Sequence, residues 1–221
     1  MDAQATIPAP SGGFRDNNIV QAWLVLCLAI CFGSTLAGMQ LALGPTIEEN
    51  KVNETMARVP ELVLGQELAA KMAAENQTLE IEPRSIAVKV GGRQQSYSVF
   101  DAKYQGNRKG WVIKTGGQGY ADKIELLVGL DPTLTTITGL FVLEQKETPG
   151  LGNKIIFPEW RGQFIGKPTT PALKVVKTGA QAKTEIDAIT GATISSRAVT
   201  AIVNGAIKAL REPLTKTGGA A

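Results

Sequence analysis

The chain has 221 residues, with 23 lysines and arginines against 20 aspartates and glutamates and a formal net charge of +3. That length allows one ordinary domain plus an anchor, and the mixed charge, without a basic block or interleaved aromatics, argues against nucleic acid as a partner. Histidine is absent and both cysteines, Cys27 and Cys31, lie in an apolar N-terminal stretch, so the polar part has no imidazole base, no thiolate nucleophile and no ligand set for zinc or an iron–sulfur cluster.

Residues 1–18 read as a short tail. From Ile19 to Leu43 there is no charged residue. As a helix this stretch is roughly 37 Å long, enough to span hydrocarbon about 30 Å thick. Trp23 suits an interface belt, and Gly44-Pro45 is expected to end the helix, giving one transmembrane helix over 19–44. A cleaved signal peptide is the competing reading; its apolar core would run only about 7–15 residues, and Ser34-Thr35-Leu36-Ala37 is a fair cleavage site. Cys27 and Cys31 share a helical face and read as small packing residues, with a cluster ligand shared with another subunit as the alternative. Arg15 precedes the span and Lys51 and Arg58 follow it, so charge bias leaves orientation undecided.

Residues 45–211 read as one α+β domain. Thr46 to about Asn76 predicts helix broken near Pro60 and Gly65. Strands are then predicted over 86–90, 95–104, 111–115, 123–130 and 134–143, separated by turn residues such as Gly91-Gly92, Gly106-Asn107 and Gly116-Gly117. The clearest hairpin joins 124–130 to 135–142 across Asp131-Pro132-Thr133. A further strand, 173–176, precedes a helix whose apolar residues Val199, Ile202, Val203, Ala206, Ile207 and Leu210 fall at helical spacing. The fold class is therefore an antiparallel sheet with packed helices, and residues 212–221 are expected to form a flexible tail, frayed from Thr215.

Just before that helix the chain reads Asp187-Ala188-Ile189-Thr190-Gly191-Ala192-Thr193-Ile194-Ser195-Ser196. Locally, threonine and serine ahead of an apolar-periodic run are N-cap residues, worth about 1 kcal/mol. A helix N-terminus also presents free N–H groups and partial positive charge, which suits a phosphate. The small Gly191 and Ala192 permit close approach. Upstream, Leu143-Glu144-Gln145-Lys146-Glu147-Thr148-Pro149-Gly150-Leu151-Gly152-Asn153-Lys154-Ile155 leaves the hairpin and enters a loop, turned by Pro149-Gly150. On its own this is merely a loop.

The first run resembles the signature Asp-x-x-(Ser/Thr)-Gly-Ala-Thr-x-(Ser/Thr), at which a threonine hydroxyl carries FMN through a phosphoester. The second resembles the Lys-Glu-Thr-Pro-Gly-Leu-Gly loop of the same proteins: the FMN-binding G subunits of Rnf ion-translocating electron-transport complexes and the related C subunits of sodium-translocating NADH:quinone reductases. Length favours the G type. The resemblance implies covalent FMN on Thr193, with Asp187 in the attachment signal and Thr190, Gly191, Ala192 and Ser195 around it. It makes Glu147, Thr148, Leu151 and Gly152 candidates for the wall against the flavin ring. Gly117, Gly119 and Tyr120 resemble the family's Gly-x-Gly-Tyr approach. Histidine often stands shortly before the second motif; Glu144-Gln145 occupy that place here. Trp160 and Phe164 read as core with a ring-shielding alternative, and Lys154 as either a surface lysine or a partner for reduced flavin.

By the same resemblance the chain is a redox subunit that does not turn over alone, coupling ferredoxin–NAD chemistry to Na+ or H+ transport. Its expected partners are other membrane subunits, a flavin transferase and the lipid bilayer. The expected place is the cytoplasmic membrane, single-pass, with the FMN domain on the periplasmic or outer face. A stand-alone membrane-anchored flavin reductase and a non-redox module in which Thr193 only caps a helix are the rival readings.

Overall fold

A computed structural model describes residues 18–218. Apart from Asn18, the tail expected over 1–18 lies outside the described residues, as do residues 219–221 of the expected C-terminal tail. The chain falls into two units, Met1–Asn50 and Lys51–Ala221.

The described part of the first unit is helical and belongs to α1, Asn18–Leu64. Among the described residues α1 is the one helix long and apolar enough to cross a membrane, with a mean hydropathy of 2.1 over 18 residues. The helix does not end at Gly44-Pro45 as expected. Proline removes one i→i−4 hydrogen bond and commonly kinks a helix, but the sequence that follows is rich in helix formers. Packing then fixes the last turns of α1 within the second unit, where Thr55, Val59 and Leu62 are 1 %, 0 % and 4 % exposed. The expected break at Pro60 is absent too; the break comes at Gly65, after which α2 spans Gln66–Ala74.

The second unit is built on a five-stranded antiparallel meander in the order β1-β2-β3-β4-β5: Glu80–Val90, Arg93–Tyr104, Asn107–Gln118, Lys123–Leu130 and Ile137–Glu144. Successive side chains alternate between its faces. Trp111, Ile113, Ile124, Leu126 and Val128 meet Val199, Val203 and Leu210 of α4, Thr193–Gly218. Val112, Leu127 and Phe100 meet Val59, Leu62 and Val63 of α1. The sheet is thus covered by a helix on each side.

β1 starts at Glu80 rather than Ile86 and pairs with β2 throughout, Pro83 included. An edge strand tolerates proline because its outward side needs no donor. β5 begins only at Ile137 because Asp131 ties the preceding loop: its Oδ1 accepts the N–H groups of Thr135 and Thr136, each at 2.7 Å. Helix α4 runs on through Pro213 to Gly218, where a tail was expected; Leu214, 1 % exposed, anchors the extension in the core.

Between β5 and α4 the chain makes a 3-10 turn over Gly152–Ile156, a short helix α3, Pro158–Arg161, another 3-10 turn over Gly162–Phe164, and a parallel pair, β6 Lys174–Val176 and β7 Glu185–Asp187. Of these only β6 was legible in the sequence. Trp160 pins the segment: its Nε1 donates to the Asp187 carbonyl at 2.8 Å, and its ring meets Phe164 edge-on at 5.4 Å. Both are buried, so the core reading of this pair holds.

Candidate functional site

The first turn of α4 is set by a serine staple. The Ser196 hydroxyl accepts the Ile189 N–H at 3.0 Å and donates to the Ala192 carbonyl at 3.0 Å. The Ala192 N–H closes onto the Ile189 carbonyl at 2.9 Å, and the Ser196 N–H makes the first helical bond to Ala192 at 3.1 Å. Gly191 completes the turn at φ +81°, a left-handed conformation that favours glycine. The helix consequently begins at Thr193. The N–H groups of Thr193, Ile194 and Ser195 have no acceptor among the described residues, as expected for a free helix start.

In front of this turn lies a cavity of about 500 Å³, lined by Tyr120, Thr148, Leu151, Gly152, Gly191, Ala192, Thr193, Ile194 and Ser195. That volume falls within the roughly 300–1,000 Å³ of small-molecule pockets. Three separate segments supply the walls: the turn after β3, the loop after β5 and the start of α4. Tyr120, Leu151 and Ile194 form an exposed apolar rim, matched to a flat, largely apolar ring system. No lysine or arginine is among the lining residues, so an anion here would be held by backbone N–H groups and the helix dipole.

Glu147 joins the three walls from behind. It is 4 % exposed. Its Oε1 accepts the Ala121 N–H at 3.0 Å, its Oε2 accepts the Ser195 hydroxyl, and its own N–H reaches Gln145 Oε1 at 2.7 Å. A Cβ on Gly152 would stand 2.7 Å from Ser195 Oγ and 2.8 Å from Glu147 Oε2, and one on Gly119 would meet Asp122 O and Ile124 Cδ1, each at 2.7 Å. Both glycines are there because the carboxylate and its neighbours leave no room for a side chain.

The structure brings Thr148, Leu151, Gly152, Gly191, Ala192, Thr193 and Ser195 into one lining. It places Glu147 behind that wall rather than in it. Thr190 is exposed and outside the lining. Asp187 is also outside; its Oδ1 accepts the Ala180 N–H at 2.8 Å, and its backbone N–H meets Gln163 Oε1 at 2.7 Å, so it shapes the approach to α4. Lys154 is exposed on the 3-10 turn and does not line the cavity. Gly117 lies against Ile202 of α4. Ile194 and the Ser196 staple escaped the sequence reading, although both serines stand at helical spacing from Val199 and Val203. No cluster of metal-ligating side chains occurs among the described residues.

The four hydroxyls of the motif are thereby sorted. Ser195 and Ser196 are buried and engaged, at 2 % and 0 % exposure. Thr190 stands outside the cavity lining, and Thr193 opens into it beside three free N–H groups.

An FMN-binding domain model matches residues 119–208, a segment containing every residue of the cavity lining. The chain is 20 % identical, with a TM-score of 0.64, to the crystal structure of Shewanella oneidensis NqrC over 78 % of this chain and 100 % of that one, a likeness of fold. It is 41 % identical over 102 residues to the G subunit of the ion-translocating oxidoreductase complex of Methanosarcina acetivorans, covering 46 % of this chain and 52 % of that protein, about half its length. It is 36 % identical over 185 residues to the G subunit of the Na+-translocating ferredoxin:NAD+ oxidoreductase complex of Acetobacterium woodii, covering 79 % of this chain and 85 % of the relative. Sequence likeness along most of such a protein, with an FMN-binding domain laid over the cavity, means that this chain belongs to the G-subunit family of ion-translocating oxidoreductase complexes.

Proposed function

We propose that this electron-transfer flavoprotein subunit carries FMN as a phosphoester on Thr193 Oγ and relays electrons between redox centres of partner subunits. The observation that carries the attachment is the sorting of hydroxyls: Thr193 alone of the four combines a place in the cavity lining with a helix start whose N–H groups are free. Thr193 would supply the ester oxygen, and the N–H groups of the first turn would hold the phosphate. Tyr120, Leu151 and Ile194 would cover the ring and exclude water, while Thr148 and the backbone of Gly152 face its polar edge. Bound FMN supplies the one- and two-electron chemistry that no side chain here provides. The ester keeps the cofactor at high effective concentration.

The relatives' names indicate the surroundings. The complex is one that couples ferredoxin–NAD oxidoreduction to Na+ or H+ movement, and other membrane subunits and a flavin transferase are its partners. The apolar stretch 19–43 contains no charge that could move an ion, which assigns ion passage to those partners. The span sits in the cytoplasmic membrane, with the FMN domain outside.

One experiment tests both halves. Protein is taken from its native host, because a host without the transferase would leave it colourless. The expected mass is polypeptide plus FMN minus one water, located on the peptide containing Thr193. It is lost in Thr193→Val, kept in Thr190→Val and partly kept in Thr193→Ser. Protease added to intact spheroplasts is expected to release the flavin peptide. An unmodified Thr193 rejects the attachment, and a protected flavin peptide rejects the outward orientation.

A further inference from the structure

Glu147 does two things that a neutral side chain would do only in part. Its carboxylate collects the Ala121 N–H at 3.0 Å and the Ser195 hydroxyl, tying together the turn after β3, the loop after β5 and the first turn of α4. It also places a buried acid directly behind two lining residues, since Oε2 lies 2.8 Å from where a Gly152 Cβ would be and contacts Ser195 itself. Among the described residues no lysine or arginine nitrogen comes within 4.0 Å of it. The neighbouring Lys146 is turned outward to Asp122 at 3.6 Å, both well exposed. The carboxylate is therefore held by neutral donors, and Gly119 and Gly152 are the space made for it.

We propose that Glu147 holds down the reduction potential of the FMN in this cavity, with Ser195 and the Ala121 N–H fixing the carboxylate in place; the proposal rests on the FMN site argued above. Reduction adds negative charge to the ring system. In a buried site a fixed like charge opposes that addition more strongly than it would in water. With the flavin joined through phosphate, tuning falls to non-covalent neighbours, and Glu147 is the one buried carboxylate beside this cavity among the described residues. Glutamine would preserve the clamp, because its carbonyl can accept from Ala121 and its amide can donate to the Ser195 oxygen. The charge is what the substitution removes.

The test is a spectroelectrochemical titration of the full-length, flavin-loaded protein, wild type against Glu147→Gln, after the mass increment has been verified in each. The midpoint potential of Glu147→Gln is expected to rise by roughly tenfold in the one-electron equilibrium, ~59 mV. Ser195→Ala keeps the charge and is expected to show no upward shift. If glutamine is not tolerated, Glu147→Asp against Glu147→Asn repeats the charge contrast at a relaxed clamp, with the asparagine variant expected higher. Loaded variants with equal midpoints, or a lower one for the amide, overturn the proposal while leaving the attachment intact. A wild-type mass without the increment overturns both.

Discussion

At the scale of single residues, the site works by denying space and partners to all but one hydroxyl. Ser196 is consumed by the turn and Ser195 by Glu147. Gly152 admits no side chain, because Ser195 Oγ and Glu147 Oε2 both lie within 2.8 Å of its missing Cβ. Gly152→Ala must therefore push the loop after β5 away from α4. Overpacking of this kind costs about 1–3 kcal/mol. The variant is expected to lower the urea midpoint and the visible flavin absorbance per mole of protein. Gly162→Ala, where nothing lies within 4 Å of the added methyl, is the control and should change neither. A Gly152→Ala protein with wild-type flavin content and stability would show that the three-walled cavity is looser than these distances require. Much of this was legible beforehand. The motif pointed to Thr193, and the apolar stripe through Val199 and Val203 already implied that Ser195 and Ser196 face inward. What the linear motif did not carry is Glu147's position behind the wall. That depends on how the turn at Ala121 meets the loop at Gly152, a contact between segments far apart in the chain.

At the scale of elements, strands were read where alternation is strong and missed where pairing does the work. β4 was found to the residue because both its faces are apolar, whereas the start of β1, Glu-Ile-Glu-Pro-Arg, is polar and holds a proline. It is a strand because β2 offers it partners, and cross-strand charges add to that. Lys103 and then Arg84 donate to Glu82 at 2.7 and 2.9 Å. They bring its carboxyl from the ordinary 4.5 down to about 2. A carboxyl depressed in the folded state contributes stability that is fully present above its unfolded value and is lost as pH falls through the folded one. The advantage of wild type over Glu82→Gln in urea unfolding should therefore be constant above about pH 5, shrink between pH 4.5 and about 2, and vanish below. Glu82 is an exposed rim residue, so the effect is a small one. A difference that does not change across this window would show that the pair contributes through packing rather than charge. Asp101, beside it and fully buried, is the costlier arrangement. Arg108 grips it with two bonds of 2.7 and 2.9 Å, its guanidinium 4.2 Å over the Trp111 ring, because a carboxylate taken out of water is tolerated only when fully paired.

At the scale of the whole molecule, the sequence suggested a boundary at Gly44-Pro45, where helix-breaking residues follow the apolar run. The second unit begins instead at Lys51, and helix continues across both places. The reason is that the last turns of α1 belong to the core of the second unit. Lys51 pairs with Glu144 at 2.8 Å, Thr138 donates to the Leu62 carbonyl at 2.6 Å, and Val59, Leu62 and Val63 cover Phe100, Val112 and Leu127. Helix propensity alone did not reveal this, since nothing in the run Thr46–Leu64 says which sheet face it will cover. Burying three such side chains is worth roughly 5–9 kcal/mol, comparable to the roughly 5–15 kcal/mol that separates a folded domain from its unfolded chain. Two truncations follow from that arithmetic. Residues 51–221 should unfold in a single cooperative transition with native near-ultraviolet circular dichroism. Residues 65–221 leave one face of the sheet bare and should show a broad transition, weak near-ultraviolet signal and dye-accessible apolar surface. Equal cooperativity of the two would mean that α4 and the sheet stand alone, and that the last turns of α1 are a linker rather than the second cover of the sheet.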